Sequence, residues 1–478
     1  MGRDVGLGRY GPADFHAFGE RLRQETELLR QWLQQGRLLA EPPRIGFELE
    51  AWLVDAGGQP VPENQAFLQR MSDPMVVPEL ARFNVELNGP PRWLADNPFS
   101  GLMDDLQGLW QRCNATGESM GLHPVMIGIL PSVRPEHLGL PQMTDAVRYR
   151  ALNEQVLALR NQQPFRVAIQ GPQEALELEQ QTVMLEAAAT SLQLHLQLTA
   201  DNAARCFNAA QLMSAASVAV AANAPTLFGR RLWHDTRIPL FEQAVAVDPP
   251  GAGSARGLDR VTFGTGYTRD GLYPLFVENR QHYPVLLPEV TGEAPEQLSH
   301  LSLHNGTIWR WNRPLVGVDG QGRCHLRLEH RVMSAGPSVP DVVANACFFH
   351  GLIQACAQRP EPLEAEVPFQ MAARNFYRAA RDGLDARVEW LGGQRGPLRE
   401  LILEQLLPMA ADGLRRFGLD EAAWRPWLEL MRERVVRGRT GAVWQQLWLD
   451  RHGGPMEGLV CAYRAAQQAG RPVHDWEI

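Results

Sequence analysis

The sequence predicts an α+β protein: a sheet with one apolar and one polar face, helices packed on the apolar face, and a helical C-terminal region. Four segments alternate apolar and polar residues with a period of two, the pattern of strands whose faces meet different surroundings. After Pro368 the texture changes to helix-like stretches separated by Gly or Pro. A length of 478 residues, 45% apolar and 21% charged, suits a folded chain and excludes wholesale disorder.

In chain order, residues 14–39 form one amphipathic helix, with Phe15, Phe18, Leu22, Leu29 and Leu33 near one face. In RIGFELEAWLV (44–54), Ile45, Phe47, Leu49, Ala51 and Leu53 point one way, and Glu48 and Glu50 share the other side. In RFNVELNG (82–89), Phe83, Val85 and Leu87 alternate with Asn84, Glu86 and Asn88. Ser100 is placed to cap a helix running to about Ala115, and Thr144 another to about Asn161. In SLQLHLQL (191–198), four leucines alternate with Gln193, His195 and Gln197. The alanine-rich stretch 201–222 predicts a buried helix. In HLRLEHRV (325–332), Leu326 and Leu328 alternate with His325, Arg327, Glu329 and Arg331. Further helices are expected at 339–357, 370–387, 397–417, 419–438 and 440–470. The expected organisation is an N-terminal helix (1–40), a central domain that holds the four strands (41–360) and a helical region packed on it (361–478), with no clear flexible linker. Trp424, Trp427, Trp444 and Trp448 read as packing, with a homodimer contact as the alternative.

The polar faces carry the chemistry. A solvated sheet face favours Thr, Ser and mixed long charges. Here it carries Glu, Asn, Gln, His and Arg, so the alternative is a polar funnel. Glu48, Glu50, Glu86 and Glu329 are hard oxygen ligands that suit Mg²⁺ or Mn²⁺. Two carboxylates two residues apart on one strand need cations or a proton between them. Glu79, seven residues before Glu86, is a further ligand or an exposed turn glutamate. His195 is a ligand or a satisfied core histidine. Arg331 faces the same way as Glu329, either to neutralise a transferring phosphoryl group or as a salt bridge to that glutamate.

Composition narrows the chemistry. The chain has no lysine, so all 46 basic residues are arginine. That excludes a lysine Schiff base, a lysine–nucleotide adduct and a GxxxxGK[ST] phosphate loop. A net charge of −8 argues against a nucleic-acid-coating partner. No apolar run of membrane-spanning length and no leader-type apolar region is present, and six scattered cysteines without a CxxC pair suggest the cytoplasm. The glycine-rich stretches 249–257 and 264–271 read as surface loops or as a lid bringing Arg256 or Arg260 to phosphate.

Taken together, GFELEAWLVD (46–55), VELNGPP (85–91), LHLQL (194–198), ANAPTLFG followed by HDTR (222–237) and RLEHR with GPSVPD (327–341) resemble the type 2 glutamate–cysteine ligase family, which includes bacterial carboxylate–amine ligases. The resemblance covers about residues 40–360. It implies a funnel-shaped, largely antiparallel six-stranded sheet with helices on its outer face, similar to glutamine synthetase and guanidino kinases. It also implies ATP at one end, small-molecule amino-acid and amine substrates at the other, and two or three Mg²⁺ between. By match to the motifs, Glu48, Glu50, Glu79, Glu86, His195 and Glu329 would be metal ligands. Arg331 would lie on the γ-phosphate and Arg237 near the phosphates or a substrate carboxylate. His304 and Thr307 match a stretch just before the last strand that would contribute to nucleotide binding. The implied reaction is amide formation through an acyl phosphate, most simply γ-glutamyl transfer to cysteine or another amine. Phosphoryl transfer onto a carboxyl or guanidino group, and a non-catalytic ATP-binding relative, are the alternatives. The segment Ile308–Leu328, with Trp309, Arg310, Trp311 and Arg313, is longer than the plant-type enzyme leads one to expect and leaves the amine partner open.

Overall fold

The computed structural model of the chain describes residues 5, 6, 8–39, 43–247 and 259–478. Its centre is a curled antiparallel sheet of β1 (Arg44–Val54), β2 (Val76–Pro78), β3 (Asn84–Asn88), β4 (Ser191–Leu198), β5 (Asn312–Val318) and β6 (Cys324–Ser334). The spatial order is β5-β6-β4-β1-β3-β2. Two short strands, Arg92–Trp93 and His123–Val125, pair with the two ends of β1. A separate hairpin joins Phe165–Gln170 to Ala175–Gln180.

The helices used below are α1 (Pro12–Gln34), α2 (Pro98–Glu118), α3 (Val147–Leu159), α4 (Ala203–Val220), α5 (Arg237–Ala244), α6 (Val339–Ala357), α7 (Phe369–Asp382), α8 (Leu407–Phe417), α9 (Glu421–Arg437), α10 (Gly441–His452) and α11 (Met456–Gln468). Leu192, Leu194, Leu196 and Leu198 are at most 1% exposed, and each contributes about 1.5–3 kcal/mol relative to an exposed side chain. α4 and α6 pack on this side of β4 and β6. The small residues of α4 let it lie close, and it is buried all round from Cys206 to Val220. α2, α8 and α9 cover α6, and α7 covers α4. α6 and α8 approach most closely at two glycines: a Cβ on Gly413 would meet the Gly351 carbonyl at 2.3 Å, so neither position has room for a side chain. α9 is tied to α6 by a buried ion pair, Arg434 to Asp341 at 2.8 Å. No described helix is long and apolar enough to cross a membrane.

Several boundaries differ from expectation. α2 starts at Pro98 after Asn97, so Ser100 lies inside it; proline suits a first turn, where its missing N–H is not needed. α3 starts at Val147, and the Thr144 hydroxyl instead donates to the Glu79 carbonyl and accepts from Asn64. The expected helix over 440–470 is two helices, broken at Gly453, Gly454 and Pro455. Trp424 and Trp444 are buried packing residues; Trp427 and Trp448 are half-buried against the core. The six cysteines are unpaired.

Candidate active site

Register brings the polar residues together. In the antiparallel pairs, Glu50 stands opposite Glu86, Glu48 opposite Gln193, and Glu329 opposite His195. Directly opposed residues share a face. The face is not a solvated one: Glu86 is 3%, His195 7%, Glu329 1% and Arg331 8% exposed. The polar-funnel alternative is the one the fold realises.

The six expected ligands fall into two groups. Glu48, His195 and Glu329 bring one donor atom each within 4.8 Å of one another, and so do Glu50, Glu79 and Glu86. In the first group His195 Nε2 lies 3.2 Å from Glu48 Oε1. Burial alone would push both carboxylates up. His195 instead holds Glu48 well below the usual range, and Arg313 and Arg331 hold Glu329 at about 2. Each oxygen of Glu329 receives one guanidinium, Arg331 at 2.9 Å and Arg313 at 2.8 Å. The salt bridge that was one reading of Arg331 is therefore present, and it fixes that guanidinium inside the site.

The second group is predominantly acidic. Glu50 accepts from the Ser191 N–H at 2.7 Å, the Ser191 hydroxyl at 3.0 Å and Gln193 at 3.2 Å. Glu86 accepts from Asn88 at 2.9 Å, and Glu79 from the Leu80 N–H at 3.2 Å. Burial and the charges of Glu48 and Glu50 push Glu86 up to about 8. Burial, then Glu86, Glu50 and Glu186, hold Glu79 well above the carboxylate range. Such a crowd of buried oxygens fits a hard divalent cation, and the first group, two carboxylates and an imidazole, fits one as well.

Two members of the site carried no strand signal. Glu186, in the 3₁₀ turn Val183–Ala188, is pushed up to about 8 by burial and by Glu50, with Arg331 opposing. Burial, then the charges of Glu79, Glu186 and Glu86, hold the Tyr149 hydroxyl on α3 well above its ordinary range. The only hint in the sequence is a lone charge in VMLEAAA. Arg313 comes from β5, which Pro314 and Gly317 disguise.

Arg237 opens α5 and is 1% exposed. Its guanidinium donates to the carbonyls of Val332 at 3.3 Å and Arg331 at 3.4 Å, with Asp235 at 3.5 Å, so it lies behind Arg331. His304 and Thr307 are buried in a separate network. His304 Nε2 meets the Asn279 carbonyl at 3.0 Å, and the Thr307 hydroxyl donates to the His304 carbonyl at 2.8 Å. Arg260 is buried there too, donating to the Thr307 carbonyl at 2.9 Å. Residues 264–271 are held by two hydrogen bonds between Thr268 and Asn208 of α4. The stretch 249–257, with Arg256, lies outside the described residues.

Buried paired carboxylates and arginines thus line one face of a curled antiparallel sheet. The chain belongs to the glutamate-cysteine ligase family 2 (GCS2), which it matches over residues 44–462. The match runs through the helices after Pro368 and ends at residue 462, midway along α11. Among solved structures, the chain is similar to the glutamate–cysteine ligase of Francisella tularensis in complex with AMP. That likeness has 11% identity and a TM-score of 0.59, covering 91% of this chain and 90% of that one. It is also similar to the bifunctional glutathione synthetase of Pasteurella multocida, with 13% identity and a TM-score of 0.49, covering 92% of this chain and 54% of that one. A comparison with curated protein sequences finds no match. The family match supports a carboxylate–amine ligase, and the likeness to the Francisella tularensis enzyme shows the fold.

Proposed function

We propose that the protein joins the γ-carboxyl of glutamate to cysteine or another amine in the cytoplasm, with ATP and two or three Mg²⁺ ions. The observation that carries this reading is the division of the six expected ligands into two adjacent donor groups. Glu48, His195 and Glu329 would hold one ion, and Glu50, Glu79 and Glu86 another. Bound there, divalent cations neutralise the triphosphate and the carboxylates around it.

The charge distribution supports one direction for the nucleotide. Arg44 lies on the β1 face of Glu48, two register steps away, and Arg327 stands opposite Gln197 on β4. With Arg313 they make the Glu48 end cationic, which suits the triphosphate. The Arg44 guanidinium stacks 3.9 Å over Trp93, which is 42% exposed and offers a flat surface to the base. The acid then lies at the Glu50 end, beside Arg331. Its carboxylate oxygen attacks the γ-phosphorus, the bond to the bridging oxygen breaks and ADP leaves. The amine nitrogen attacks the acyl carbon, phosphate leaves and the nitrogen loses a proton. Arg331 stabilises charge on the transferring group, and Arg237 holds Arg331's backbone in place. His304 and Thr307 serve this reading by shaping the loop before β5, the strand that carries Arg313.

Incubating the protein with ATP, Mg²⁺ and paired amino acids and amines tests it. ADP and a new amide should appear only when acid and amine are both present. A phosphorylated product without an amide would assign phosphoryl transfer instead, and no ADP from any pair would overturn the ligase reading.

A further inference from the structure

We propose that Gln467 and Tyr463, on the last helix of the chain, are positioning residues for the acid end of the site, so that the C-terminal helical region completes that site. The proposal rests on the metal-site reading above.

α11 reaches the site through a short loop. The Gln467 side chain grips both backbone groups of Met126: its carbonyl accepts from the Met126 N–H at 3.1 Å and its amide donates to the Met126 carbonyl at 2.8 Å. The same amide donates to the Pro337 carbonyl. The Tyr463 hydroxyl donates to the Met126 carbonyl at 2.9 Å and accepts from Asn223 at 2.8 Å. Asn223 is held from the other side by Gln445 of α10, at 2.8 Å.

Two residues further on, Gly128 branches to both halves of the acid end. Its carbonyl accepts from the Thr190 N–H at 3.0 Å and the Thr190 hydroxyl at 3.1 Å. Thr190 leads directly into Ser191, whose N–H and hydroxyl hold Glu50. On its other side, a Cβ on Gly128 would lie 2.5 Å from Ser334 Oγ and 3.0 Å from Arg237 Cδ. Ser334 in turn donates to Asp235, the partner of Arg237, at 2.8 Å. Gln467 and Tyr463 are 4% and 0% exposed, so water cannot take over these bonds when the side chains are removed.

The test is a Mn²⁺ titration followed by electron paramagnetic resonance, without substrates, on the full chain and on Gln467→Met, Tyr463→Phe and Leu459→Ala. Leu459→Ala removes buried packing from the same helix and no side-chain hydrogen bond. Gln467→Met should weaken one class of Mn²⁺ site by up to about 10-fold, the lower end of the cost of losing a direct outer partner of a metal ligand, since Gln467 acts on Glu50 through the Met126–Gly128 loop and Thr190. Tyr463→Phe should move the same class less, and it carries the test if Gln467→Met does not fold. Leu459→Ala should lower the melting temperature and leave Mn²⁺ affinity unchanged. Wild-type affinity in the folded Gln467 or Tyr463 variant, or a loss in Leu459→Ala in proportion to its instability, would overturn the proposal. A wild-type protein that takes up no Mn²⁺ would remove the site reading itself, and this inference with it.

Discussion

Glu50 is held by Ser191 and Gln193 while Glu79, Glu86 and Glu186 crowd it. Glu50→Gln keeps an acceptor for Ser191 and removes one of the crowded charges. Turnover should therefore vanish while the melting temperature without divalent ions stays equal or rises; full activity would remove Glu50 from the metal site. Arg331→Lys should lower turnover by about 10²–10³-fold, because an ammonium lacks the planar fork and one preorganised electrostatic contact has that value. Steady-state kinetics of the variant measures it, and an unchanged kcat would contradict the assignment. Period-two alternation made Glu48, Glu50, Glu86, His195 and Glu329 legible, because only a strand puts such residues on one side. It could not show which of these residues meets which, since that depends on the register between strands far apart in sequence. Glu186 stayed invisible because a 3₁₀ turn has no face-defining period.

At the scale of elements, the junction of α6 and α8 depends on Gly351 and Gly413. Alanine is normally the better helix residue by about 1 kcal/mol, yet Gly413→Ala should destabilise by about 1–3 kcal/mol because its Cβ would strike backbone atoms. Urea unfolding reads the sign directly, and a gain in stability would mean that the helices lie further apart. Asp341→Ala should cost more, about 3–5 kcal/mol, by leaving the Arg434 guanidinium buried without its carboxylate. The bodies of the helices were legible in the sequence; their ends were not. Thr144 has the side chain of a cap, but tertiary partners Glu79 and Asn64 claim its hydroxyl. β5 was unreadable because Pro314 and Gly317 break its pattern, and its pairing with β6 restores it.

The whole molecule encloses an acidic cluster whose repulsion a cation would relieve, so an ion bound there would be coupled to stability. An ion that binds only the folded chain adds about 2.7 kcal/mol at a hundredfold excess over its dissociation constant. Mg²⁺ or Mn²⁺ should accordingly raise the melting temperature and a chelator should reverse the rise; Glu86→Gln should blunt the response, and an unaffected wild-type melt would count against the cluster as a cation site. The division into a polar interior face and buried helices followed from leucine alternation and an alanine-rich helix. The tie between the C-terminal helices and the sheet did not, because Gln467 and Met126 are 341 residues apart and an amide gripping a backbone has no sequence pattern. The most direct measurement is anomalous diffraction from crystals grown with Mn²⁺ and a non-hydrolysable ATP analogue. Peaks should lie among Glu48, His195 and Glu329 and among Glu50, Glu79 and Glu86, with the triphosphate running toward Arg313 and Arg327. A nucleotide bound elsewhere, with no peak at either group, would contradict the account.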